Sequence, residues 1–381
     1  MIRYPVVLLL TLSLCACAYF GDEDNTIPPT PLEDIENTVS IKEDWSEDAG
    51  GGADEAYLNL GPVYSENKVF VANSNGKVVA YDAETGKRLW QFDTDTYLTG
   101  GPGVGGNLVL VGSGDAEVIA IDAESGKLVW RVPVSSEVLA APAVSADIVA
   151  TRTIDGKTVG LNASTGQKLW TYEQSVPALS LRGTSAPIID DELVIVGYDE
   201  GRLVALEEQT GKLVWETRIA LGSGRSELER MVDIDAEPVI DSGVIFVATF
   251  QGRLAALSLV AGSILWTREI STHTGLSVDS SNVYITDDDS NVWALDRFNG
   301  NSVWKLEKLA ARAVTAPAVQ GNLIAVGDLE GYLHWLDKTT GEIVARGRLS
   351  DNRIIAAPVV HAGTVYFYSS DGTLAAYSFQ E

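Results

Sequence analysis

Ala80-Tyr81-Asp82-Ala83-Glu84-Thr85-Gly86-Lys87-Arg88-Leu89-Trp90 is the stretch on which the fold turns. It returns as Ala120-Ile121-Asp122-Ala123-Glu124-Ser125-Gly126-Lys127-Leu128-Val129-Trp130, and then with drift in copies ending at Trp170, Trp215, Trp266 and Trp304. A seventh copy, Trp335 to Ala345, keeps Thr340-Gly341 but has Ala345 in the Trp slot. In every copy a Gly stands four residues before the last position, from Gly86 to Gly341. A period in the forties, with one turn signal and one large aromatic per unit, marks a stacked repeat architecture.

Each turn lies between short alternating runs, such as Val78 to Asp82 before it and Arg88 to Phe92 after it. Alternation around a Thr-Gly or Ser-Gly turn predicts a β-hairpin. Upstream, Lys68 to Ala72 and the turn at Asn75-Gly76 add a further strand, and an inner strand opens with Pro62-Val63. Each unit is therefore four antiparallel strands. One such sheet cannot cover its own two faces, whereas radial stacking covers both and leaves only short edges. The repeated Trp belongs between neighbouring sheets, with its N–H on a backbone acceptor.

Pro62, Pro102, Pro142, Pro187, Pro238 and Pro317 each precede a Trp position by 28 residues, and Leu276 takes the Pro place before Trp304. Pro suits the first residue of a strand, where no ladder donor is needed. An eighth unit opens at Pro358, but the chain ends at Glu381, before an outer strand could form. Trp45 lies 45 residues before Trp90, with no turn motif ahead of it. The N-terminal segment is thus expected to complete the last unit. The predicted fold is all-β: an eight-bladed β-propeller spanning residues 39–381.

Residues 1–16 read as a signal segment, with Arg3 followed by the short apolar run Val6 to Leu14. Leu14-Cys15-Ala16-Cys17 resembles a bacterial lipoprotein processing box, with Cys17 the lipidated residue. The mature chain then holds one Cys and no disulfide, and several acyl chains on it would anchor firmly. Residues 17–38, with Pro28, Pro29, Pro31 and neighbouring acids, read as an extended solvated tether.

The Pro-to-Trp spacing is constant, so length varies only in the connectors from one unit's outer strand to the next unit's inner strand. Two consecutive connectors, Thr171 to Ala186 and Glu216 to Glu237, are long. The first contains Leu179, Leu181 and Arg182; the second contains Arg225, Leu228, Arg230, Met231, Asp233 and Asp235. Exposed aliphatic side chains with a charged rim on paired loops suit protein docking. Inward folding of Leu179 and Leu181, capping the disc, is the plainer alternative.

The formal charge of −26 leaves no basic stripe for a nucleic-acid backbone. His273, His334 and His361 fall in different units without ligand spacing, and read as solvated or hydrogen-bonded strand-end residues. Asp287-Asp288-Asp289-Ser290-Asn291 sits at a middle-hairpin turn and lacks the Gly and terminal Glu of a calcium loop. No nucleophile elbow, phosphate loop or Cys–His pair occurs. No metal or cofactor is expected.

The lipoprotein box, the A-x-D-x-x-T-G-x-x-x-W repeat and the loop Leu179-Ser180-Leu181-Arg182-Gly183 together resemble the BamB family. These are lipoproteins of the β-barrel assembly machinery in Gram-negative outer membranes. The resemblance implies a non-enzymatic scaffold, lipid-anchored at the periplasmic face of the outer membrane. It implies docking to the POTRA domains of BamA, with nascent outer-membrane proteins as further partners. Leu179, Leu181 and Arg182, with Asp233 and Asp235 on the neighbouring loop, would form the binding surface. The repeat also resembles quinoprotein dehydrogenases, which use pyrroloquinoline quinone and calcium, but their adjacent Cys pair is missing here. A propeller that binds a ligand in its central channel is a third reading.

Overall fold

A computed structural model describes residues 27–53, 58, 60–177, 185–222, 225–226 and 228–380. They form eight four-stranded antiparallel sheets, arranged as the blades of a propeller. Blade 1 consists of Val63–Ser65, Lys68–Ala72, Lys77–Asp82 and Arg88–Asp93, in spatial order from inner to outer. Blades 2 to 7 repeat this order along the chain. Blade 8 consists of Val359–His361, Thr364–Tyr368, Thr373–Gln380 and, on the outside, Ser40–Asp48. The N-terminal strand closes the ring, as the lone Trp45 implied.

The middle strands are buried on both faces because each blade is covered on either side by a neighbour. Lys68–Ala72 and Lys77–Asp82 show this: every residue between their ends is buried. Clusters of aliphatic side chains therefore form between blades, such as Phe70, Val78 and Ala80 of blade 1 against Val109, Val111 and Ile119 of blade 2.

The Trp and Gly of the repeat meet across blades. The Trp45 ring lies on Gly86 of blade 1, Trp90 on Gly126 of blade 2, and so on to Trp304 on Gly341 of blade 7. A Cβ on any of these seven glycines would sit 2.5 to 2.8 Å from the ring. Each also holds a positive φ, between 63° and 75°, which glycine adopts without strain. Each Trp Nε1–H donates to a carbonyl of the same turn, at 2.7 to 3.0 Å, from Ala83 for Trp45 to Lys338 for Trp304.

Blade 7 departs from this scheme for a topological reason. Blade 8 takes its outer strand from the N-terminus, so it has no hairpin turn between its last two strands. A Trp at position 345 would have no glycine to lie on. In blades 1 to 6 the Trp pairs across the sheet with a small residue, as in Ala80 with Trp90 and Ala120 with Trp130. In blade 7 the sizes are exchanged, and Trp335 of the middle strand pairs with Ala345. The Trp335 ring packs edge-on against Phe367 and Tyr377 of blade 8, with centroids 5.8 and 5.6 Å away. Its Nε1–H donates to Gln320 Oε1 at 2.9 Å.

The segment read as a tether is bound over its second half. Residues 33–38 run along the outer strand of blade 7, Ile343–Arg348. Thr38 N–H donates to Val344 O at 2.9 Å, and Arg346 N–H donates to Asn37 Oδ1 at 2.9 Å.

Trp335→Ala should destabilise the protein by about 3–5 kcal/mol, as expected for emptying a buried aromatic site. Adding Ala345→Trp should not restore stability, because the ring has no turn to rest on. Denaturant unfolding of the two variants checks both outcomes.

Candidate functional site

Antiparallel order places the outer-to-inner connectors and the turns between middle strands on one face of the disc, here the connector face. Backbone hydrogen bonds join the two sets. Ile219 N–H donates to Gly201 O at 2.7 Å and Phe250 N–H to Asp233 O at 2.9 Å.

The connector Glu216 to Glu237 is anchored by its own apolar residues. Met231, Val232, Ile234 and Ala236 are all buried. Ile234 reaches into the core between blades 4 and 5, beside Ile195, Leu203 and Ile245. Gly197 of blade 4 makes room for it: a Cβ there would lie 2.4 Å from Ile234 Cγ2. The same device recurs at Gly112 under Val138 and at Gly327 under Ile354. Met231, read from sequence as an exposed anchor, is instead part of this plug. Leu221 and Leu228 do face solvent, with 72% and 59% of their surface exposed.

Asp233 is buried by the same inward turn, and its Oδ1 accepts the Glu200 N–H at 3.2 Å. It belongs to a cluster of charges from three blades. Arg152, from blade 3, is 3% exposed, donates from Nη2 to Asp199 Oδ1 at 3.2 Å, and lies 4.8 Å above the centre of the Tyr198 ring. Arg152 Nε and Nη1 and Asp235 Oδ2 are buried without a hydrogen-bond partner. Burial, reinforced by the neighbouring Asp233 charge and opposed by Arg152, pushes the Asp235 carboxyl up to about 7. Burial likewise raises Asp199. His273 Nδ1 lies 2.9 Å from Asp288 Oδ1, and that hydrogen bond raises the imidazole above its ordinary value. Asp233 and Asp235 were singled out from the sequence, but Arg152 and Asp199 were not, because they lie in consecutive repeats that meet only when blades 3 and 4 stack.

Leu179, Leu181 and Arg182 lie outside the described residues, as does Cys17. Their connector is described up to Pro177 and again from Ser185, and Ser185 and Ala186 are buried.

The remaining polar motifs have structural explanations. Asp287 accepts from the N–H groups of Asp289 and Asn291, from Asn291 Nδ2 and from Trp293 Nε1, which occupies its carboxylate as a turn. His361 stacks on Tyr64 with centroids 3.7 Å apart. His334 was expected at a solvated or hydrogen-bonded strand end; it lies within the strand Tyr332–Asp337, wholly buried and hydrogen-bonded. Among the described residues no three His, Cys, Asp or Glu are placed to hold a metal ion.

Asp235→Asn should separate charge from shape in this cluster. The folded carboxyl titrates near 7 against an ordinary 3.8, so the native state loses stability as pH rises from about 4 to 7. The Asn variant should be more stable than the parent by roughly 1–3 kcal/mol at pH 8 and nearly equal to it at pH 4. Thermal unfolding at the two pH values tests this.

Comparison with known proteins matches this architecture to one family. The family model described as outer membrane protein assembly factor BamB covers residues 39–96, 74–306 and 307–381. A protein of that name from Alkalilimnicola ehrlichii is 50% identical over 374 residues, covering 98% of this chain and 96% of its own. The crystal structure of BamB from Moraxella catarrhalis superposes with a TM-score of 0.81 at 28% identity, covering 89% of this chain and all of that one. Quinohemoprotein alcohol dehydrogenase from Comamonas testosteroni also superposes, with a TM-score of 0.67 over 90% of this chain and 77% of its own. At 15% identity that likeness shows the propeller fold alone. The quinoprotein reading therefore falls, and the chain belongs to the family of the outer membrane protein assembly factor BamB.

Proposed function

We propose that this protein is a non-enzymatic scaffold in outer-membrane protein assembly, docking to the POTRA domains of BamA through its two long connectors. Family membership supports the general role. The observation that carries the docking reading is the second connector. Its apolar plug and buried Asp233 anchor the stretch from Met231 to Ala236, while Leu221 and Leu228 stand exposed on the same connector. A connector anchored by burial loses less freedom when it binds, so exposed aliphatic side chains beside the anchor contribute more fully to affinity. In this reading Leu179, Leu181 and Arg182 supply the other half of the surface, and Asp233 and Asp235 act by shaping the loop and setting its charge.

Cys17 carries the lipid and keeps the protein at the periplasmic face of the outer membrane. Unfolded barrel proteins are received beside BamA, with extended segments pairing to outer blade edges. The segment Asn37–Val39, hydrogen-bonded to Val344 and Arg346 of an outer strand, supports that last step.

Replacing Leu181 with Ser and Arg182 with Ala should weaken binding to a purified BamA periplasmic region by at least about tenfold, the scale of one or two interface hot spots. Titration calorimetry reads the loss, and unchanged affinity would remove this surface. Cys17→Ser should move the protein from the membrane to the soluble periplasmic fraction without changing its circular dichroism.

A further inference from the structure

The N-terminal segment crosses the rim of blade 7 from one face of the disc to the other. Thr30 N–H donates to Ala310 O at 3.1 Å, on the connector between blades 6 and 7. Thr38 N–H donates to Val344 O, near the start of the outer strand. Between them, Leu32 packs on the core between blades 6 and 7, and Lys308 pairs with Glu33 at 2.9 Å.

Blade 7 has a grip built for this segment. Arg312 Nη1 donates to Thr30 O at 3.0 Å and Arg346 Nη1 donates to Glu33 O at 2.7 Å. Fully buried Asp328 and His334 join the two guanidinium groups. Arg312 Nε donates to Asp328 Oδ2 at 2.7 Å, and His334 Nε2 lies 3.0 Å from the same oxygen. Arg346 Nε donates to His334 Nδ1 at 3.3 Å, which leaves Nε2 as the nitrogen that carries the proton toward Asp328. At the cross-strand position of His334 the other blades carry Val79, Ile119, Val159, Val204, Ala255, Trp293 or Ala375. A buried polar network at a place otherwise apolar calls for a purpose, and its two outer ends both hold the strap.

We propose that blade 7 clamps residues 30–38 so that the lipid-bearing end leaves the disc from the connector face and holds that face toward the membrane. The proposal rests on the Cys17 anchor put forward above. It shortens the span outside the strap to residues 17–29, which reach at most about 45 Å fully extended; with the strap released as far as Ser40, the reach would be about 80 Å. The docking connectors share the connector face, so the anchor and the docking surface lie on one side of the molecule.

The test uses the full lipidated chain in vesicles of phosphatidylethanolamine and phosphatidylglycerol carrying a headgroup energy-transfer acceptor. Asp351→Cys places a dye on the connector face beside blade 7, and Thr339→Cys places one on the opposite face. A six-residue strand separates the two faces by about 20 Å, so the Asp351 dye should lie nearer the bilayer by about that distance. The triple change L32S/N37A/T38P alters only the strap, leaves the blades intact, and should abolish the difference. Equal distances in the parent protein, or a difference that survives the triple change, would overturn the orientation alone. Mass spectrometry showing no lipid on Cys17 would overturn the anchor and the orientation with it.

Discussion

The contact on which the ring depends is an indole laid on a glycine of the next blade. It combines burial of a large aromatic surface with one directed hydrogen bond, and it repeats at seven of the eight seams. Each such seam sets one blade against the next, and eight blades close the ring. The glycine is required twice over: its φ is positive and no side chain fits beneath the ring. The eighth seam shows the constraint by exception. Where closure by the N-terminal strand removes the turn, the indole moves to the middle strand as Trp335 and the outer position shrinks to Ala345.

Closure also sets where irregularity is tolerated. The blades are held by their seams, so the connectors are free to lengthen without altering the disc. The second long connector uses that freedom without becoming slack. Ile234 enters a space left by Gly197, as Val138 and Ile354 do at other blades, and this carries Asp233 and Asp235 beneath the surface. There they meet Arg152 and Asp199 in a poorly solvated cluster with several hydrogen-bonding groups unfilled. A buried charge cluster of this kind is poor evidence for stability, and its perturbed carboxyl marks the connector face for functional tests.

The N-terminal strap extends the same logic to the edge. An outer strand presents unpaired backbone groups, which invite pairing with other chains. On blade 7 the strap covers part of that edge, and on blade 8 the edge strand is itself the N-terminal segment. The N-terminal segment thus covers one outer edge and supplies another.

Much of this was legible in the sequence because the determinants are local and periodic. The constant Pro-to-Trp spacing, the turn glycines, the shortened last unit and the solitary Trp45 were enough to count the blades and close the ring. The Trp335–Ala345 exchange was also present as a signal, since the small-to-Trp offset of ten residues holds in every copy with the sizes reversed in one. What the sequence could not rank was direction and company. Met231 and Asp233 sit in a loop whose composition suits exposure, yet the room beneath Gly197 draws it inward. Arg152 and Asp199 stand 47 residues apart in separate repeats and become neighbours only when blades 3 and 4 stack. The acidic, proline-rich strap reads as solvated because its binding groups, Arg312 and Arg346, lie some 300 residues downstream. Sequence alone determined the repeating unit and its number, because those follow from short-range spacing. Tertiary structure decided which polar groups are buried together, because that follows from which side chains of separate repeats face each other once the blades stack.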